Sequence, residues 1–233
     1  MKIAVISDIH GNIYALMKVL EDIDNEGVDT IVCLGDLVGY GPHPNEVIAM
    51  IRRRNILCIK GNYDASVVDN GFTYIRDNNI NSFALPWAVN ELRASNRYFL
   101  ASLPSTITLN FYNNKSITFV HGSPRAINEY MIDDENLLTE IMNDFNGDVL
   151  VCAHTHIPFI KSFGNKLLIN DGSVGKPKIG RPNCTYALIE LYNDIPIKAK
   201  IKEIEYDYQK TIKDMEINKF PHSLINSYSS GLE

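Results

Sequence analysis

No stretch of this 233-residue chain approaches the roughly 18 consecutive apolar residues that a membrane-spanning helix needs. No charged segment followed by an apolar core precedes its first strand-like run, so the expected compartment is the cytoplasm. An excess of basic residues is also missing. The 22 Lys and Arg stand against 28 Asp and Glu, a net charge of −6. That argues against wrapping a nucleic-acid duplex and leaves room only for a local basic patch. The four cysteines, Cys33, Cys58, Cys152 and Cys184, form no Cys-x-x-Cys pair, which speaks against structural zinc held through sulfur. Three of them lie in apolar runs and read as buried reduced thiols. Repeats, low-complexity tracts and linkers are absent too, so one domain is expected, with 45% hydrophobic residues to fill its core.

What the chain does have is a series of apolar runs that end in residues of the metal-ligand type. The first, over 2–6, leads into Ser7-Asp8-Ile9-His10-Gly11-Asn12 and a helical pattern over 13–26. In an extended turn, residues two apart project to the same side, so the Asp8 carboxylate and the His10 imidazole can converge on one ion. A hard oxygen beside a borderline nitrogen suits a first-row divalent metal, although Asp-x-His alone is a common pattern. Residues 30–34 form a continuous apolar run, as in a parallel strand covered on both faces, and end in Gly35-Asp36. Strand, helix, strand in this rhythm is a βαβ unit, which sets Asp36 at the sheet edge that carries Asp8. Alone, Gly-Asp would be no more than a turn. His43-Pro44-Asn45-Glu46 opens the next helix, with Pro44 in its first turn. A third strand over 56–59 ends in Lys60-Gly61-Asn62-Tyr63-Asp64.

Residues 65–101 are expected to be mainly helical, most strongly over 78–97, with Trp87, Leu92, Phe99 and Leu100 as packing residues. Alternation over 105–111 and 116–120, around Tyr112-Asn113-Asn114-Lys115, predicts an antiparallel hairpin. Its second strand ends in His121-Gly122-Ser123-Pro124-Arg125. A helix over 134–146 precedes an apolar strand over 148–153, which ends in His154-Thr155-His156. A hairpin around Gly164-Asn165, a glycine-rich loop over 170–178 and two antiparallel strands around Asn193-Asp194 follow. From residue 206 the pattern is polar and weakly helical, which reads as a peripheral appendage.

Collected, the strand-end residues are Asp8, His10, Asp36, Asn62, His121, His154 and His156, and they use four of the six histidines. Satisfied polar groups in surface loops would explain one such pair. They do not explain a set repeated at five strand ends, so metal binding is the expectation.

Asp-x-His, Gly-Asp, Gly-Asn-x-Asp, a lone His and Ala-His-x-His, in that order, resemble the signature of the calcineurin-like metallophosphoesterase superfamily. Asp8 to Asn12, Gly35 to Pro42 and His121 to Arg125 are most similar to its small bacterial and archaeal phosphodiesterase branch, related to diadenosine tetraphosphatases. The resemblance covers residues 1–205 and leaves 206–233 as an appendage of the same domain. It implies an α/β (α+β) fold, a single-domain four-layer α/β/β/α sandwich of two mixed β-sheets flanked by helices. It also implies a dinuclear centre. Asp8, His10 and His156 would hold one ion, Asn62, His121 and His154 the other, and the Asp36 carboxylate would bridge them. Two cations about 3.5–4 Å apart can share a hydroxide, lower its pKa and clamp phosphoryl oxygens during in-line attack. Asp36, Asn62 and His121 would then carry catalysis. Manganese is the first candidate, and iron, nickel or zinc also fit mixed nitrogen and oxygen ligation.

The chain departs from the signature at Tyr63, where the superfamily has a histidine thought to protonate the leaving group, oriented by the following acid, here Asp64. A phenol with a pKa near 10 suits general-acid work poorly. Tyr63 could still donate to a phosphoryl oxygen or simply pack beside the site. Good leaving groups, such as aryl or nucleotide phosphates, are therefore expected to react better than alkyl phosphomonoesters. Arg125 is a candidate substrate clamp, since guanidinium forks phosphate, or a plain surface arginine. His43 could replace the missing proton donor or merely flank a helix start. Lys176, Lys178 and Arg181 form either an anionic-substrate rim or a solvated loop. The superfamily's Asn-Pro-Gly-Ser stands here as Asn170-Asp171-Gly172-Ser173, which puts that loop's geometry in question.

The leading reading is a cytoplasmic phosphoesterase acting on a small phosphorylated substrate, with nucleotides among the candidates. A phosphoprotein phosphatase and a non-catalytic scaffold on the same fold are the alternatives. The intact ligand set weighs against the scaffold, because seven clustered polar groups without metal would leave costly unpaired atoms.

Overall fold

Alternate residues of the first strand, β1 (Lys2–Ile6), feed two different cores. Ile3 and Val5 point into one and Ala4 and Ile6 into the other, so the strand is apolar and buried from Ile3 onward. The computed structural model describes residues 1–111, 114–192 and 195–232. The first half of the turn expected over Tyr112-Asn113-Asn114-Lys115, and the turn expected at Asn193-Asp194, lie outside these.

On the Ala4 and Ile6 side runs α1 (Ile13–Glu26), whose Leu16, Val19, Leu20 and Ile23 recur at helical spacing and are buried against the sheet. Asn12 caps it by accepting a bond from the Ala15 amide, and Gly27, left-handed at φ 62°, ends it. Then come β2 (Thr30–Cys33), α2 (Pro44–Arg53) and β3 (Leu57–Cys58). The strand over 56–59 is thus shorter than its apolar run, although the Ile59 amide still bonds the Cys33 carbonyl.

The expected helical stretch resolves into α3 (Asn62–Asp69), α4 (Asn79–Glu91) and α5 (Ala94–Ser102). Asn70 ends α3 in a left-handed conformation and Asn78 caps α4, which leaves a loop over 70–78. The single helix over 78–97 breaks at 92–93, where the Arg93 amide donates to the Asn45 side chain.

The second half contributes β4 (Thr106–Asn110), β5 (Ser116–Val120), α6 (Glu135–Asp144), β6 (Val149–Cys152), β7 (Phe159–Phe163), β8 (Lys166–Asn170), β9 (Cys184–Tyr192) and β10 (Ile195–Ile204). One five-stranded sheet has the order β10-β9-β1-β2-β3, parallel at β1-β2-β3 and antiparallel at β9 and β10. The other has the order β4-β5-β6-β8-β7, parallel in its centre and antiparallel at both edges. Ile3, Val5 and Val32 meet Phe119, Val149 and Val151 in the core between the sheets. Helix α6 covers the far face of the second sheet through Leu138, Ile141 and Met142. This is the four-layer sandwich of two mixed sheets.

The tail forms α7 (Tyr208–Ile217) and α8 (His222–Ser230). Met215, Phe220, Leu224, Ile225 and Tyr228 are buried together, packed against Tyr40, Phe83 and Trp87. Asn12 ties this tail to the N-terminal turn: its amide nitrogen donates to Tyr206 and Gly175, and its oxygen accepts from Thr211.

Candidate metal centre

Every expected ligand lies just past the carboxyl end of a strand. Asp8 and His10 follow β1, Asp36 follows β2 and Asn62 opens α3 after β3; His121 follows β5, and His154 and His156 follow β6. The first four belong to one sheet and the last three to the other, so the cluster straddles the seam. Asp8, His10, Asp36, His154 and His156 have φ between 47° and 67°, in the left-handed region. Such conformations cost non-glycine residues about 1–3 kcal/mol each and persist where the surroundings enforce them. The extended turn expected at Asp8-x-His10 is therefore not what forms. A coiled turn, pinned by the Asp8 amide on Gly35 O (3.1 Å) and the His10 amide on Asp36 O (2.9 Å), aims both side chains inward. Glycine is required nearby: a Cβ on Gly61 would lie 2.1 Å from Asp36 Oδ1.

The donor atoms converge. His156 Nε2 is 3.2 Å and His10 Nε2 3.5 Å from Asp8 Oδ1, and the two imidazole nitrogens face each other at 3.3 Å. Asp36 Oδ2 lies between the two groups of residues, 3.6 Å from His10 Nε2 and 3.5 Å from His121 Nε2. Asn62 Oδ1 is 2.8 Å from His121 Nε2. The His154 ring stands beside that of His121, centroids 5.2 Å apart, and its amide donates to Asp8 Oδ2 at 3.0 Å.

These residues fit a divalent ion on their own chemistry. Nδ1 of His10, His121 and His156 is bonded to the carbonyls of Val38, Leu34 and Lys176, which fixes each ring with Nε2 facing the cluster. Among the described residues, Asp8 Oδ1 and His154 Nε2 are buried without a hydrogen-bond partner, an expensive arrangement unless a ligand takes them up. Burial pushes the His154 imidazole down to about 3, helped by the nearby His121 charge. It also lowers His156. Burial opposes charge on Asp8 as well, but His156 and His10 hold that carboxyl well below the usual range. Neutral imidazoles and ionised carboxylates are the forms that bind metal. His121 is the exception: although burial opposes its charge, the Asp36 carboxylate pushes it up to about 10.

Behind the ligands, Asp64 accepts from the amides of Asp36, Gly61, Leu37 and Val38. Burial and the Asp36 charge push its carboxyl up to about 6. It therefore braces the Asp36 loop rather than orienting the side chain at 63. Tyr63 is buried at the wall of the cleft, and its hydroxyl donates to Asn81 Oδ1. Burial, then Tyr40, hold that phenol well above its ordinary value. Ser7 Oγ sits 2.9 Å from both Asp8 Oδ2 and Asp171 Oδ1. Burial and the Asp8 charge push the Asp171 carboxyl well above the carboxylate range.

Of the other candidates, Arg125, His43 and Arg181 are not brought to the cleft beside these ligands. Arg125 is turned outward onto Glu129 and Glu140, and Glu129, four residues on, could have been read as its partner from the sequence. His43 stands at the N-cap of α2 with Nε2 3.1 Å from Asp214. Arg181 pairs with Glu203. Lys176 is buried with its ammonium 5.1 Å from the Tyr40 ring centroid, while Lys178 lines the cleft. The sequence reading missed Tyr40, Arg76 and Tyr130, which also line it. Tyr130 stacks on His154 at 4.1 Å, and the Arg76 guanidinium lies 5.0 Å from the Tyr130 centroid. No spacing in the sequence marks them, because they sit on irregular loops; the break in helical pattern after Gly71 is the one available signal.

Comparison with known proteins places the chain in a family. The sequence profile of the Calcineurin-like phosphoesterase superfamily domain matches residues 1–194. An uncharacterised protein of Methanocaldococcus jannaschii is 37% identical over 240 aligned positions, covering 95% of each chain. Phosphodiesterase YfcE of Escherichia coli is 27% identical, covering 94% of this chain and 99% of its own. The crystal structure of a metallophosphoesterase from Sphaerobacter thermophilus superposes with a TM-score of 0.83 at 28% identity, covering 100% of this chain and 99% of that one.

Proposed function

Because this chain belongs to the calcineurin-like phosphoesterase superfamily, we propose that its strand-end cluster holds two divalent ions and hydrolyses phosphodiesters or activated phosphate esters. The observation that carries this reading is the position of Asp36 Oδ2 between His10 and His121, with Asp8 Oδ1 and His154 Nε2 buried and, among the described residues, without a hydrogen bond. Asp8, His10 and His156 would hold one ion and Asn62, His121 and His154 the other, with Asp36 shared. When bound, such a pair supplies Lewis acidity towards phosphoryl oxygens and acidifies water. Manganese is our first choice on the mixed donor set.

The chain's own contribution is orientation. The Nδ1 bonds to backbone carbonyls lock the rings of His10, His121 and His156, and Asp64 locks the Asp36 loop. Tyr63 delivers no proton to a leaving group, since its hydroxyl is engaged with Asn81 and its acidity is suppressed. Aryl and nucleotide phosphates, which leave as stable anions, are the substrates this arrangement favours. Four buried free thiols support a cytoplasmic setting.

Turnover of bis-(p-nitrophenyl) phosphate with added Mn²⁺ tests the reading. We expect activity in the native protein and background rates in Asp36→Ala and His121→Ala. Equal background in all three would overturn it and favour a scaffold. A faster rate on glycerol phosphate than on the aryl diester would overturn the leaving-group assignment.

A further inference from the structure

We propose that Arg76 grips the substrate phosphate at the mouth of the cleft, on a mount that Tyr63 and Asn81 supply; this rests on the phosphoesterase reading above. A phosphate seated over metals still presents anionic oxygens outward, and guanidinium is the side chain whose donors match them. Arg54, Arg125 and Arg181 are each neutralised by carboxylates. Arg76 lines the cleft, and among the described residues no carboxylate pairs with it. Its contact is the ring of Tyr130, which itself lies on the candidate ligand His154. The guanidinium therefore stands next to the metal cluster with its charge available.

The loop that presents Arg76 is fastened to the site by its own backbone. Asn62 Nδ2 donates to the Tyr74 carbonyl at 3.2 Å, and Asn81 Nδ2 donates to the Arg76 carbonyl at 2.7 Å. Asn81 is in turn held through Oδ1 by the Tyr63 hydroxyl. At the position where the signature has a histidine, this chain thus has a residue that ties down an arginine-bearing loop. Tyr63 and Asn81 are positioning residues, and Arg76 is the anion-binding one.

Calorimetric titration of the Mn²⁺-loaded protein with inorganic phosphate is the primary test. We expect Arg76→Gln to bind phosphate about tenfold more weakly, the scale of a lost charge-assisted bond, Arg76→Lys to recover part of the loss, and Arg54→Gln to match the native protein. With bis-(p-nitrophenyl) phosphate, Arg76→Gln should raise KM by a similar factor with kcat little changed. Tyr63→Phe and Asn81→Ala should raise KM about fivefold, as for one neutral hydrogen bond. A fall in kcat with KM unmoved would mean that they serve the fold instead. Phosphate affinity unchanged in Arg76→Gln, a loss carried by Arg125→Gln instead, or no phosphate binding at all would overturn the proposal. The two readings separate cleanly. A protein that hydrolyses no diester but loses phosphate affinity on Arg76→Gln keeps this inference and loses the other. Full hydrolysis with affinity unmoved does the reverse.

Discussion

At the scale of single residues, the candidate ligands were legible because each is a metal-type side chain placed directly after an apolar run, a pattern written in the chain order itself. The backbone conformation that aims them was not legible: nothing in Asp8-Ile9-His10 announces two left-handed residues. Gly61 exposes this dependence. Its place against Asp36 leaves no room for a methyl group, so Gly61→Ala should displace that carboxylate and cut Mn²⁺-dependent turnover by about 10²-fold, the scale of a misplacement near 1 Å. Activity within threefold of native would show that the loop yields freely. Asp171, which is not itself a candidate ligand, offers a second residue-level test. Ser7 has one proton and two carboxylate neighbours; a proton kept on Asp171 lets Ser7 serve Asp8. Because the folded-state value of Asp171 is raised, the folded protein keeps a proton that the unfolded chain releases above about pH 4, and stability falls as pH climbs from there. Asp171→Asn should remove that slope. Urea titrations at pH 5 and 7 check it, and parallel losses in both proteins would mean that Asp171 is ionised.

At the scale of elements, most strands and helices followed from apolar periodicity, and their bounds moved where capping or pairing intervened. The 65–101 stretch was blurred because the left-handed backbone at Asn70 and the side-chain hydrogen bonds of Asn78 and Asn45 divide it, and periodicity records neither. The Arg76 loop was missed for that reason. A tie between elements that the pattern also hides joins α1 to its sheet: Glu26 accepts from Lys2 on β1 and Lys202 on β10. These bonds lower its carboxyl from 4.5 to about 2. The stabilisation is present above the ordinary value and is lost as pH falls through the folded one. Glu26→Gln should cost about 1 kcal/mol at pH 7, allowing for partial solvent screening, and the difference from native should shrink towards pH 2. Chemical denaturation at both pH values reads it directly.

For the whole molecule, the tail read from sequence as peripheral carries buried side chains that lean on Tyr40, itself 4.7 Å from the His10 ring. A chain ending at residue 205 keeps all seven candidate ligands, yet we expect it to lose Mn²⁺-dependent turnover and to melt well below the full-length protein. Native-like melting and rates would show the tail to be dispensable. Chelation should also lower the melting temperature, since an ion present at 100 times its Kd adds about 2.7 kcal/mol, and manganese should restore it. Because Asp8, His10, Asp36 and Asn62 hang from one sheet and His121, His154 and His156 from the other, each proposed ion would act as a rivet through the two leaves of the sandwich. Ion affinity then becomes a gauge of how well the leaves are seated. Thinning the interior between them, as by Phe119→Leu, which leaves every candidate ligand in place, should loosen the grip on manganese before it opens the fold.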